Sequence, residues 1–169
     1  ESLLLTLIEE AEELMSENPS YNSCANFMLT ATMGLNGFIA MGVEEDWATH
    51  MIGHELTALC GLDHGETLAI VHPALMDVMR EEKKGKLLQY AKRVWGINLE
   101  NENKAIDLAI EKTENFFRSI GKKTRLSENN IGDDVIEEIV KRFTERGWCV
   151  GERGIVTPEK TRQILQRAK

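Results

Sequence analysis
The stretch Asp46-Trp47-Ala48-Thr49-His50-Met51-Ile52-Gly53-His54-Glu55-Leu56, continued by Gly61-Leu62-Asp63-His64-Gly65-Glu66-Thr67-Leu68-Ala69, decides how the rest of the chain is read. All four histidines, His50, His54, His64 and His72, fall within 23 of the 169 residues. His50 and His54 stand four apart, which on a helix puts them about 40° apart around the axis and one turn along it. They share that face with Trp47, Met51 and Ala58, and it is read as the inward one. An unbroken helix would carry His64 about 21 Å from His50, too far for both to touch one ligand. The chain must therefore turn back. Gly61 is the residue type that closes a helix in the left-handed conformation, and Asp63 with Glu66 three residues on has the form of a capping box. A reversal at residues 61–63 lets His50 and His64 bring ring nitrogens within roughly 2.1 Å of one metal ion. The competing reading makes His50 and His54 core histidines bonded to carbonyls and His64 an ornament of a helix start. His72, ahead of Pro73 in an apolar run, is read as structural. A zinc-protease helix is excluded because Ala58 stands where the second histidine of His54-Glu55 would fall, and no EF-hand loop is present.

Helical periodicity continues on both sides of this stretch. Leu3, Leu4, Leu7, Ile8, Ala11, Leu14 and Met15 alternate with Glu9, Glu10, Glu12 and Glu13 as an amphipathic helix, which Asn18-Pro19 ends. The chain opens at Glu1 directly into this pattern, without a cap, and is read as starting inside a helix of a longer protein. From Asn22 to Met41 apolar residues occupy every face, so this segment is expected to be surrounded by protein at the centre of the core. Glu45 or Asp46 is expected to accept the first amide hydrogens of the third helix. Beyond residue 80, three further helical patterns carry Leu87 to Trp95, Ala105 to Ile120 and Ile136 to Phe143, separated by loops holding Gly96, Gly121 and Gly147, and a last short helix starts at Thr157-Pro158. No alternating strand pattern and no internal repeat appears. The expected fold is all-α, a helical bundle forming a single domain over residues 1–169.

Bulk composition narrows the function classes. With 42% hydrophobic and 28% charged residues the chain is an ordinary folding sequence. A formal charge of −8 and a pI near 5.1 argue against nucleic acid, whose phosphates are neutralised by Lys and Arg. The basic clusters Glu81-Glu82-Lys83-Lys84-Gly85-Lys86 and Gly121-Lys122-Lys123 are short, the first includes carboxylates, and both are read as solvated faces. Cys24, Cys60 and Cys149 are odd in number and far apart, so neither a disulfide framework nor a CxxC site is expected. No apolar run reaches the roughly 20 residues of a membrane span. A cytoplasmic location is expected, with neither nucleic acid nor membrane as a partner.

The stretch quoted first closely resembles the second metal-binding signature of the iron-containing alcohol dehydrogenases, within the branch of NADPH-dependent aldehyde reductases and butanol dehydrogenases. The segments Ala31 to Gly42 and Lys86 to Trp95 are similar to that branch too, so the likeness covers essentially the whole chain. The resemblance implies the C-terminal, all-helical, metal-binding half of such an enzyme, with the N-terminal nucleotide-binding domain absent from this chain. It implies four metal ligands, of which an aspartate and a histidine on an earlier helix have no counterpart here and two histidines match His50 and His64. It implies Fe2+ or Zn2+ as the metal, NADP(H) or NAD(H) as the hydride carrier of the intact enzyme, and a small aldehyde or alcohol as substrate. His54 is the expected catalytic residue, relaying a proton or orienting the substrate oxygen. Among the thirteen glycines none forms the GxGxxG of a pyrophosphate loop, so no cofactor-binding residue is expected, and the isolated chain is expected to be inactive. The intact enzyme is expected to be a homodimer or larger. The contrasting expectation, from another class, is a stand-alone helical protein-interaction module with structural histidines.

Overall fold
A computed structural model describes residues 1–169 as eight α-helices with two short 3-10 turns: α1 Ser2–Leu14, α2 Tyr21–Leu35, α3 Ala48–Cys60, α4 His64–Val78, α5 Lys84–Arg93, α6 Glu102–Ser119, α7 Asp133–Glu145 and α8 Pro158–Arg167. Extended pairing is limited to one isolated bridge between Val150 and Val156, so the all-α expectation is met. Helix boundaries follow local chemistry. Ser20, Asn101 and Thr157 each accept a backbone amide hydrogen at the start of α2, α6 and α8, and Pro158 occupies the first turn of α8, where its missing N–H has no work to do. At the end of α3, Gly61 takes φ +69°, a conformation that costs a side-chain-bearing residue on the order of 1 kcal/mol or more.

The centre of the bundle is α4, which packs against α3, α6 and α8. Its apolar residues Ala69, Ile70, Val71, Ala74, Leu75 and Met76 are buried around more than one face. The main core gathers Ile70, Val71, Ala74 and Leu75 of α4 with Ile52 and Leu56 of α3, Ile136, Ile139 and Phe143 of α7, and Ile164 and Leu165 of α8. Two satellite clusters under α5 and α6 hold Leu87, Ile106 and Ile110, and Ala91, Ala105 and Ala109. Phe143 is wholly buried, with Trp148 edge-on at 5.5 Å between ring centres.

The segment from Asn22 to Met41 departs from expectation. It does not form the centre of the core: α2 stops at Leu35, and Met28, Leu29, Leu35, Phe38, Ile39 and Met41 are each more than half exposed. α2 pairs with α1, through Glu10, which accepts from Ser23 Oγ and Asn26 Nδ2 at 2.6 Å, and no other helix of this chain covers its outer face. A helix apolar all round calls for protein on every side, and here that protein is not supplied by residues 1–169. No helix is long and apolar enough to cross a membrane.

Candidate metal centre
α3 and α4 are joined by the three residues 61–63, and this tight return puts the start of α4 beside the middle of α3. The His50 and His64 ring centres lie 5.3 Å apart, and those of His54 and His64 lie 5.1 Å apart. The chain thus reverses at residues 61–63 and brings His64 beside the two α3 histidines. Two imidazoles bound tetrahedrally at about 2.1 Å hold their ring centres about 3.2 Å from the ion and hence about 5.2 Å from each other. The pairs His50/His64 and His54/His64 both meet that separation. His50 and His54, 6.4 Å apart, do not, since two rings so separated would have to lie nearly opposite each other across the ion. A metal ion here thus fits His64 with one partner from α3. No set of three or more His, Cys, Asp or Glu side chains of this chain comes together to hold an ion.

The capping expectation needs revision in its details. Asp63 occupies the N-cap position of α4, but its side chain accepts no amide hydrogen, so no capping box forms with Glu66. Instead Thr67 Oγ1 donates to the His64 carbonyl at 2.8 Å and secures the first turn. At the start of α3 it is Asp46 whose Oδ1 accepts from the Ala48 amide at 2.9 Å, while Glu45 receives the indole N–H of Trp47. Nor do the imidazoles all point inward. The stripe of α3 that faces the core is Ala48, Ile52, Glu55 and Leu56, whereas His54 and His64 are exposed and His50 is half-buried beside it. Trp47 packs edge-on against His50 at 4.9 Å. Burial, with His64 and His54 close by, holds the His50 imidazole below its usual pKa, so the ring is neutral near pH 7 and has a lone pair free for a ligand.

His72 makes no ring contact with the other three histidines. It lies on α4 at the wall of a cavity of about 370 Å³, shared with Thr49, Asp46, Lys83 and Tyr90, and its Nδ1 is 3.5 Å from Thr49 Oγ1. Enclosure by protein pushes its pKa down to about 4.

Sequence reasoning missed three residues that lie close to these histidines along α3 and α4. Glu55, next to His54, is buried and accepts charge-assisted hydrogen bonds from Arg142 at 3.1 Å and from Arg146, both on or just past α7. Arg146 also stacks on Trp148. The signal was present in a carboxylate on the apolar stripe of α3 and two arginines one helical turn apart. Gly53 and Thr67 meet at the crossing of α3 and α4, and no local signal marked them.

Comparison with known proteins agrees with this architecture. The model of the Fe-containing alcohol dehydrogenase family, C-terminal, matches residues 1–168. The chain belongs to that family. It is 46% identical over 170 residues to the NADPH-dependent aldehyde reductase YqhD of Escherichia coli, all of this chain against 44% of that protein. With the NADP-dependent alcohol dehydrogenase 3 of Entamoeba histolytica it shares 38% over 143 residues, 85% of this chain and 36% of that one. The substrate- and cofactor-free structure of YqhD superposes with a TM-score of 0.94 at 45% identity over 99% of this chain and 44% of that one. The NADH-dependent butanol dehydrogenase A of Thermotoga maritima gives 0.90 at 30% identity over 99% and 44%. The chain thus spans less than half the length of the relatives it matches.

Proposed function
We propose that this chain is the helical, metal-binding part of an NAD(P)H-dependent alcohol dehydrogenase or aldehyde reductase, a single domain whose nucleotide-binding counterpart lies outside residues 1–169. The observation that carries the reading is the 5.3 Å approach of His50 to His64 across a three-residue turn. Both pairs with His64 have a ligand-like separation, and the family resemblance selects His50 as the partner. Of the two candidate metals, Fe2+ is the one in the family's name. The relatives at 46% and 38% identity are named for NADPH and NADP, which favours NADP(H) over NAD(H). The reading carries with it a small aldehyde or alcohol substrate, a cytoplasmic location and a homo-oligomeric intact enzyme.

When bound, the metal supplies Lewis acidity at the substrate oxygen, where negative charge develops as hydride reaches the carbonyl carbon. The chain's own residues do the rest. His50 and His64 would provide two imidazole ligands from neighbouring helices, and the remaining ligands would come from outside this chain. His54, exposed and one turn from His50, is the residue we propose to pass a proton to or from the substrate oxygen. Trp47, 40% exposed against His50, forms an apolar wall beside the centre.

With only two ligands, the chain alone is expected to bind Fe2+ weakly and to lack dehydrogenase activity. Anaerobic equilibrium dialysis tests this: His50→Ala and His64→Ala should each abolish binding. Submicromolar binding that survives both substitutions together would refute the assignment, as would the absence of any histidine-dependent binding at millimolar Fe2+.

A further inference from the structure
Gly53 lies in the interior of α3 with ordinary helical φ, so no backbone requirement explains a glycine, a residue type that weakens helices. Space explains it. A Cβ at position 53 would sit 2.8 Å from Thr67 Oγ1 and 3.4 Å from Thr67 Cβ and Leu68 Cδ2. The obstructing oxygen is not the loose end of a flexible chain. Thr67 is fully buried, and its hydroxyl is engaged at 2.8 Å with the His64 carbonyl. Turning the side chain to escape would break that bond. The crossing is also close to the ligands on both helices: Gly53 stands between His50 and His54, and Thr67 follows His64 by one turn.

We infer that Gly53 and Thr67 are positioning residues for the metal centre, their contact setting the approach of α3 to α4 and with it the separation of the His50 and His64 rings. The inference rests on the reading of His50 and His64 as ligands. Adding a methyl group at the crossing forces the helices apart by a few tenths of an ångström, whereas metal–ligand distances tolerate only about 0.2 Å. Residues that orient ligands from behind typically change metal affinity about 10–100-fold.

The test is Fe2+ affinity of the full chain, measured anaerobically by equilibrium dialysis for wild type, Gly53→Ala, Thr67→Ala and the double variant, with circular dichroism to confirm folding and His50→Ala as control. Gly53→Ala should weaken binding about tenfold or more. Removing the obstructing hydroxyl should rescue it, so that Gly53→Ala/Thr67→Ala binds within about threefold of Thr67→Ala alone, the non-additivity expected of residues in contact. Gly53→Ala binding like wild type, or no rescue in the double variant, would overturn the inference. If His50→Ala leaves wild-type affinity intact, the ligand assignment fails instead. The positioning claim is then decided in the metal-free protein by nuclear Overhauser contacts between the His50 and His64 rings, which Gly53→Ala should weaken and which, if unchanged, overturn it. Should Gly53→Ala not fold, Gly53→Ala/Thr67→Ser, which keeps the oxygen, should bind at least about tenfold more weakly than Gly53→Ala/Thr67→Ala; equal binding overturns the inference.

Discussion

Acidification from pH 7 to pH 4 is expected to destabilise the bundle through His72, by an amount that follows from its surroundings. His72 is half-buried at the junction of α3 and α4, and loss of water around the ring is the largest influence on it. Asp46 pulls its pKa up, whereas His50 and Lys83 push it down, and the outcome is a fall from 6.5 to about 4. Because the folded-state value lies below the unfolded one, the unfolded chain binds the extra proton throughout this window. Stability is then full above pH 6.5, falls as the pH drops toward 4, and levels off below that. A displacement of this size corresponds to roughly 3 kcal/mol across the window, with a slope near 1.4 kcal/mol per pH unit at its steepest. Other groups contribute to the same curve. His50 acts in the same direction, and Asp46 and Asp77, held below the usual carboxylate range, add their share at lower pH. The difference between wild type and His72→Gln isolates the one ring. Urea denaturation of both proteins at half-unit steps from pH 7 to pH 4 should give curves that are close at neutral pH, where His72 makes only a long contact to Thr49, and that separate on acidification, wild type falling below the variant as it loses more. Parallel curves, with the two proteins losing equal stability, would refute the account of His72 as a ring held neutral by its enclosure.

Two further perturbations probe the framework that carries the centre. Phe143→Ala should cost about 3–5 kcal/mol, because a fully buried aromatic leaves a cavity among α3, α4, α7 and α8, and calorimetry should show a melting temperature lower by roughly 6–20 °C. Glu55→Ala should cost about 2 kcal/mol in urea denaturation, less than a fully enclosed pair because the Arg142 and Arg146 side chains are 30% and 39% exposed and Arg142 retains Glu138 at 2.9 Å; a loss below about 0.5 kcal/mol would show that the pair is screened by water.

Helix-forming periodicity, glycine stops and proline starts are local properties, and they were legible without coordinates. Gly61 closing α3, Pro158 opening α8, and the positions of α1, α5, α6 and α7 all follow from neighbouring residues along the chain. The approach of His64 to the α3 histidines was legible for the same reason, since a helix-closing glycine at 61 and an aspartate at the N-cap position 63 favour a reversal of the chain. Two expectations failed where the outcome depends on residues distant in sequence. The apolar segment Asn22 to Met41 has the composition of a central helix, yet whether a face is covered depends on what arrives from elsewhere, and within residues 1–169 nothing arrives. The inward orientation assigned to the α3 histidines failed similarly, because a stripe read from spacing alone can be rotated by a residue or two once Glu55 finds two arginines from α7.

What residues 46 to 69 determined by themselves was the existence of two helices, the sharp return between them and the imidazoles that the return brings together. Tertiary structure decided how close those imidazoles come, where Gly53 meets Thr67 at the helix crossing, and which face of α3 is inside, where Glu55 meets Arg142 and Arg146. The division has a physical basis. Turns and caps are settled within a few residues by backbone sterics and local hydrogen bonds, whereas the separation of two helices is settled by whichever side chains happen to meet at their crossing, and those lie far apart along the chain.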